Sequence, residues 1–512
     1  MIFPKIVDCT LRDGGYYTEW DFERSIVSEY IKAINGLPID YIEIGYRNNP
    51  SKKYMGKYAY CPVYELTDIK NKSQRAISLM LDEKNVKPTD LSTLVEPVKN
   101  LADMIRIAVD PQNFDRAVIL AENIKKFGFK VGFNTMYMSK WRENSDFLSK
   151  ITIINGIVDV FFMVDSYGSV SPEELEEILS VVKEKLTCSI GFHGHNNLEL
   201  ALINTLTAIN NGVDYVDATI LGMGRGAGNL KTELLLTYLN KHYGLTVDFN
   251  ILGDVITAFS SLLDKYKWGT NLPYMLSGAN SLPQKDVMEW ANNRIYSFNS
   301  IVRAVNNKKS NVIDNAKYPI ADFPELDTVI IIGGGINAKI HFDAIKAFLD
   351  KRQSVAVIFA TSRNAAYYQD INIPQFYCLV GREGKRLGEV FSNTGFKGKC
   401  ILPPYPREMG TDVPDFVHDA TFELPKIEFT QKYLDSCTSV ALQSAAMCYA
   451  NKIFIIGYDG YSGNNLSEKE ISLTNENQYL FSSFKIFYKK PLLSLTPSLY
   501  EELDVQSVYQ YL

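Results

Sequence analysis

The chain has 512 residues, 46% of them hydrophobic and 22% charged, which excludes a disordered chain and allows two or three domains with at least one large core. Its formal net charge is −6, from 53 Lys+Arg against 59 Asp+Glu, and no basic blocks occur. That balance argues against nucleic acid or an anionic membrane as the main partner.

In chain order, eight short β-rich runs come first: 3–9, 40–46, 75–81, 104–109, 130–135, 158–164, 188–193 and 215–221. Helical patterns such as DFERSIVSEYIKAIN and SPEELEEILSVVKEKL separate them, the latter opening on a capping pair, Ser171 and Glu174. The runs are almost continuously apolar, as parallel strands covered on both faces should be. Eight such units in about 240 residues point to a (β/α)₈ barrel over residues 1–245. An open doubly wound sheet is the alternative that periodicity leaves standing. A helical appendix is expected over 246–305 and a polar linker, rich in Asn, Lys, Asp and Pro, over 306–326. A second, Rossmann-like α/β domain is expected over 327–512, with strands near 328–335, 354–360, 375–381 and 452–460 and a helix near 338–351. The opening MIFPKIVDCTLRDGG meets a charge at residue 5 and has no long apolar run, so no signal peptide is expected. No run of about 18 uncharged apolar residues suggests a spanning helix. The seven cysteines are scattered and never in C-x-x-C spacing, which fits reduced thiols in a cytoplasmic protein.

The chemistry-bearing residues gather where the runs end. DCTLRDGG (Asp8–Gly15) places Arg12 and Asp13 just past the first strand, at the barrel end that carries catalysis. GFHGHNN ends the seventh run, and its His193 and His195, two of only five histidines, leave the same face of an extended chain. LGMGRGAGNLKTE follows the eighth, a glycine-rich turn with Asn229 opening the next helix. Two imidazoles, a carboxylate and an amide oxygen make a mixed set that suits Mn²⁺, Co²⁺, Zn²⁺ or Fe²⁺ more than Mg²⁺. The plain alternative is that both histidines only hydrogen-bond neighbouring loops. Glu43 and Arg47, Arg106, and Asp165 with Ser166 lie at other strand ends and either face this centre or form internal ion pairs.

TLRDG, H-G-H-N and G-R-G-A-G-N, in that order, resemble the DRE-TIM metallolyases over about residues 1–300. That superfamily includes 4-hydroxy-2-oxovalerate aldolase, 3-hydroxy-3-methylglutaryl-CoA lyase and the 2-isopropylmalate synthase group. The resemblance implies a divalent cation, Mn²⁺ foremost, on Asp13, His193, His195 and Asn229. It also implies that Arg12 contacts the substrate oxygen that becomes an enolate. A 2-oxo acid such as pyruvate can chelate such a metal, which acts as a Lewis acid while Arg12 adds fixed positive charge. The departure is at Gly15-Tyr16-Tyr17, where the related aldolases carry a general-base histidine and the synthases typically a glutamine. The proton carrier is then sought among Tyr16, Tyr17, Glu43, Asp165, a metal-bound water or a residue of the second domain. Tyr274 and Ser277 match a tyrosine region of the aldolases too loosely to assign.

In the second domain, Gly333, Gly335 and Ala338 have the G-x-G-x-x-A spacing of a phosphate-cradling turn between strand and helix. The next strand ends in ATSRN without the acid expected for an NAD ribose. The segment CTSVALQSAAMCYANKIFIIGYDGYSG loosely resembles MptE-like (6-hydroxymethylpterin pyrophosphokinase-like) proteins, a resemblance that would turn Ser439 and Asp459 toward a nucleotide or sugar-nucleotide; use for packing alone is the alternative.

The expected function is metal-dependent carbon–carbon bond cleavage or formation, of aldolase or lyase type, through the enolate of a 2-oxo acid with an aldehyde or acyl partner. A Claisen-type acyl-CoA condensing synthase is one alternative. Others are a degenerate barrel supporting a transferase second domain in surface-glycan biosynthesis, and a sensor of 2-oxo acids. A homo-oligomer is the expected assembly.

Overall fold

In the computed structural model of the chain, the described residues are 3–52, 54–292, 298–311, 316–391, 395–407, 412–462, 466 and 468–512. They form two compact units, Met1–Met288 and Glu289–Leu512. The first contains β1 (Lys5–Asp8), β2 (Tyr41–Tyr46), β3 (Ala76–Asp82), β4 (Met104–Val109), β5 (Lys130–Thr135), β6 (Val160–Asp165), β7 (Ser189–Gly194) and β8 (Tyr215–Ala218). Each pairs in parallel with its sequence neighbours, and β8 returns to β1. The barrel is closed, which removes the open-sheet alternative. Outward side chains such as Ile77, Leu79 and Leu81 pack against the surrounding helices in one core with Ile34, Leu66, Ala117, Leu179 and Leu235.

Inside the barrel, Val7, Cys9, Met104, Val160, Phe162 and Tyr215 form a separate apolar floor. The two-residue pleat then lifts charged groups above it: Glu43 follows Tyr41, Arg106 follows Met104 and Asp217 follows Tyr215 on the same faces. Small residues make the room. A Cβ at Gly132 would stand 3.0 Å from Arg106 Cγ, and one at Gly191 only 2.3 Å from Phe162 Cδ1. The capping pair is present, with the Ser171 hydroxyl accepting from the Glu174 amide at 3.3 Å and the Glu174 carboxylate accepting from the Ser171 amide at 2.9 Å.

Beyond the barrel come the helices Phe249–Tyr266, Leu272–Ala279, Gln284–Asn292 and Phe298–Lys309. The division between units falls inside Gln284–Asn292, within the stretch expected as an appendix. The stretch expected as a linker lies partly outside the described residues. Its later part is tied into the second unit, where Glu423 and Pro319 and then Ala321 and Glu423 share backbone hydrogen bonds of 2.9 Å.

The second unit holds β9 (Thr328–Ile332), β10 (Val355–Phe359), β11 (Gln375–Cys378), β12 (Lys399–Leu402), β13 (Thr421–Glu423), β14 (Lys452–Ile456), β15 (Leu492–Ser494) and β16 (Asp504–Val505). All pair in parallel, in the order β13-β12-β11-β10-β9-β14-β15-β16. The chain winds outward from β9, then returns to its other side at β14, so the order reverses between those two strands. Alternate residues of β9 enter opposite cores, Val329 and Ile331 on one face, Ile330 and Ile332 on the other. The helix expected over 338–351 breaks at His341 into Asn337–Ile340 and Phe342–Asp350. Among the described residues no helix is long and apolar enough to cross a membrane.

Candidate functional site

The chain turns from β1 directly into the helix Thr10–Thr18, so Arg12 and Asp13 stand in its first turn. Buried Asp8 fastens that turn by accepting from the Thr10 amide (3.0 Å) and from the Tyr30 and Thr232 hydroxyls (2.7 Å each). Arg12 Nε donates to Glu43 Oε2 at 2.7 Å, and its Nη1 donates to Asp13 Oδ1. Asn229 Nδ2 donates to Asp13 Oδ2 at 2.7 Å. Asn229 does not open the next helix, which starts at Thr232; an antiparallel bridge with His195 brings it in.

Both histidines are held by the same ring nitrogen. His193 Nδ1 lies 2.8 Å from Asp217 Oδ2, and His195 Nδ1 lies 2.8 Å from the Asp165 carbonyl oxygen. A carbonyl oxygen only accepts, so His195 is protonated on Nδ1 and keeps a lone pair on Nε2. The Asp217 carboxylate imposes the same tautomer on His193, whose Nε2 is 3.7 Å from Asp13 Oδ2. The two rings are 4.9 Å apart, centre to centre. Burial, then the neighbouring His193, lower the His195 pKa to about 3, so the imidazole stays neutral. Asn229 Oδ1 is buried with no hydrogen-bond partner. One carboxylate, two imidazole Nε2 atoms and an unspent amide oxygen are a donor set that fits a divalent cation.

Beneath this set lies an ion network that sequence reasoning took only in part. Arg106 Nη1 stands 3.2 Å from Glu43 Oε1, its Nη2 donates to Asp217, its Nε donates to Asn134 at 2.7 Å, and its guanidinium covers the Phe162 ring at 3.8 Å. Burial alone would raise Glu43, yet Arg106 and Arg12 bring its pKa below the ordinary value. Burial is likewise outweighed at Asp217, which Arg106 and His193 hold at about 2. Cys9, His193 and Asp217 also offer ligand atoms within 4.8 Å of one another. An ion there would abut the Arg106 guanidinium, and burial pushes the Cys9 thiol far from its thiolate form. The upper set is the better seat.

The remaining expected residues divide. Tyr16 stands between Tyr46 and Arg225, its hydroxyl 3.2 Å from that of Tyr46 and its ring under the Arg225 guanidinium at 4.0 Å. Tyr17 instead ties down the glycine-rich turn by donating to the Gly226 carbonyl at 3.2 Å, and burial raises its pKa. It is also bonded to Tyr274, which burial raises to about 12. Ser277 donates to the Tyr274 carbonyl at 3.0 Å. Asp165 sends only its main-chain oxygen to the centre. Its carboxylate accepts from the Ser169 and Val170 amides at 3.3 and 3.2 Å, and burial raises its pKa to about 7. Ser166 Oγ accepts from the Tyr137 amide at 2.8 Å. Arg47 turns away to the carbonyls of Leu94, Tyr60, Cys61 and Thr93. Asp217, Tyr46 and Arg225 were missed. A charged Asp217 inside the apolar run YVDATIL was the available signal.

In the second unit, Gly333, Gly335 and Asp459 meet where the strand order reverses. The Gly333 amide donates to Ile456 (2.8 Å), the Gly335 amide to Gly457 (2.7 Å) and the Asn337 amide to Asp459 Oδ2 (3.1 Å). A Cβ at Gly335 would lie 2.5 Å from the Asp459 carboxylate. The Asp459 carboxylate thus packs against the glycine turn and takes up one of its amides. Ala338 is buried in the short helix. Ser439 is buried too, with its hydroxyl spent on the Ser436 carbonyl at 2.8 Å, and does not join Asp459.

A closed parallel barrel with such a cluster at its carboxyl end has the build of a TIM-barrel enzyme. Residues 95–258 match the family model described as HMGL-like. The chain is 30% identical over 244 residues to a 4-hydroxy-2-oxovalerate aldolase of Thermomicrobium roseum, covering 46% of this chain and 67% of that protein. It is 30% identical over 272 residues to the same-named protein of Pelotomaculum thermopropionicum, covering 51% and 77%. An oxaloacetate decarboxylase of Mycobacterium tuberculosis is 26% identical over 240 residues, covering 46% and 70%. Among solved structures, the N-terminal domain of a candidate aldolase from Bacteroides vulgatus is 62% identical with a TM-score of 0.56, covering 59% of this chain and 99% of that one. The chain belongs to the HMGL-like family, among the DRE-TIM metallolyases that its motifs resemble.

Proposed function

We propose that the barrel makes or breaks a carbon–carbon bond through the enolate of a small 2-oxo acid. The observation that carries this is the unspent Asn229 Oδ1 beside Asp13 and the two histidines whose Nδ1 atoms are already engaged. Asp13, His193, His195 and Asn229 would hold a divalent cation, Mn²⁺ in this reading, which supplies Lewis acidity at the substrate keto group. Arg12, pinned between Asp13 and Glu43, offers its remaining N–H groups to the oxygen on which negative charge grows. Tyr16 moves the proton at its hydroxyl, in relay with Tyr46, in place of the histidine of the related aldolases. The names of the relatives, aldolases and a decarboxylase acting on 2-oxo acids, support the same chemistry.

Enolisation is required in either direction, so the Mn²⁺-loaded protein should exchange the C3 protons of pyruvate with deuterated solvent, read by proton NMR. Arg12→Lys should slow exchange by about ten- to hundredfold, because a point ammonium lacks the planar fork. Tyr16→Phe should lose exchange while keeping metal, and His195→Ala should lose the metal itself by elemental analysis. No exchange with pyruvate or 2-oxobutyrate, with metal demonstrably bound, overturns the proposal in favour of a barrel that acts only as a scaffold.

A further inference from the structure

Among the described residues, the buried arginines are paired. Arg12 meets Asp13 and Glu43, Arg106 meets Glu43 and Asp217, Arg407 meets Glu423, and Arg47 donates to four carbonyl oxygens. Arg225 differs. It is partly buried in the turn after β8, and among the described residues no carboxylate forms an ion pair with it. Its guanidinium rests over the Tyr16 ring at 4.0 Å, and its charge is felt at Asp13, Tyr46 and His195. An aromatic face is a weaker partner than an anion.

The turn holds this cation beside the site. Gly224 packs so closely on the Asn229 side chain that a Cβ there would stand 2.7 Å from Nδ2. Gly226, at φ +62°, packs on Gln284 in the same way.

We infer that Arg225 receives a second anionic group, a carboxylate or a phosphoryl group, carried either by the 2-oxo acid or by its aldehyde partner. The inference rests on the 2-oxo acid chemistry proposed for the same centre. On binding, the guanidinium exchanges the Tyr16 ring for the anion and presents two parallel N–H donors to it.

Calorimetric titration of the Mn²⁺-loaded full chain tests this with matched probes: 2-oxoglutarate against 2-oxovalerate, and glyceraldehyde 3-phosphate against glyceraldehyde. One charged probe should bind about ten- to hundredfold tighter than its uncharged counterpart, and which one does so tells whether acid or aldehyde carries the second anion. The preference should collapse in Arg225→Gln and partly return in Arg225→Lys. No preference for either charged probe in the unmodified protein overturns the inference even if the glutamine variant fails to fold; a preference that persists in folded Arg225→Gln does so equally. Pyruvate exchange without anion preference sinks this inference alone. Anion preference without exchange sinks the enolate chemistry and leaves the anion site standing.

Discussion

Replacing Asp217 by Ala tests whether the network under the site sets the orientation of His193. Asp217 Oδ2 receives both Arg106 and His193 Nδ1, the latter at 2.8 Å. Alanine removes the oxygen that accepts both bonds and leaves Arg106 with Glu43 as its one carboxylate partner. Breaking a buried pair costs about 3–5 kcal/mol. The barrel unit runs from Met1 to Met288, for which the unfolding entropy is about 0.6 kcal/mol per kelvin, so Tm should fall by about 5–8 °C. With its Nδ1 partner gone, His193 loses its fixed tautomer, and Mn²⁺ affinity should fall by about 10–100-fold. Scanning calorimetry of metal-free protein reads the first quantity and titration calorimetry the second. Cys9→Ala is the companion variant. An ion seated on Cys9, His193 and Asp217 would be lost in both variants, whereas an ion on Asp13, His193, His195 and Asn229 should leave Cys9→Ala within about twofold of the parent. Unchanged Tm together with unchanged Mn²⁺ affinity in Asp217→Ala would refute the orienting role.

Two further outcomes follow from packing and burial. Gly335→Ala puts a methyl 2.5 Å from the Asp459 carboxylate, whose Oδ2 is held by the Asn337 amide, and should destabilise the second unit by about 1–3 kcal/mol in denaturant titration. An unaltered midpoint would mean that Asp459 swings clear and the turn can open. Asp165, raised by burial from 3.8 to about 7, keeps a proton in the folded chain that the unfolded chain releases across that window. Stability of the metal-free barrel should therefore fall as pH rises through it, by a few kcal/mol in all, and Asp165→Asn should flatten the profile in urea unfolding at pH about 5 and about 8.

The eight barrel strands were legible because each is an apolar run long enough to register, and β9, β10, β11 and β14 for the same reason. The strands β12, β13, β15 and β16 were not. They have four, three, three and two residues, and KCIL, TFE, LLS and DV carry too little pattern to separate from loop. At the site, residues fixed by motif spacing, Arg12, Asp13, His193, His195 and Asn229, come together. Residues whose role depends on side-chain direction did not follow from position. Asp165 and Arg47 stand at strand ends as expected, but the first caps its own loop and the second serves distant carbonyls. The Rossmann-like spacing put Gly333 and Gly335 in a turn between strand and helix, while the carboxylate that packs on it, Asp459, follows β14 more than a hundred positions later, beyond the reach of any local spacing.

Asp13 and Asn229 are 216 positions apart, and their hydrogen bond stands above the junction where β8 returns to β1. At about 5–20 residues per second, a ribosome needs about 10–40 s to travel from one to the other. Until β8 appears near the end of that interval β1 has one unpaired edge, and parallel pairing over such a span is intrinsically slow. A nascent chain therefore passes through a long window in which a sticky sheet edge is exposed and no ligand can yet protect it. Truncation before residue 215 removes β8 and fixes the chain permanently in that state, so premature termination there should yield material for proteases and chaperones, never a weakened barrel.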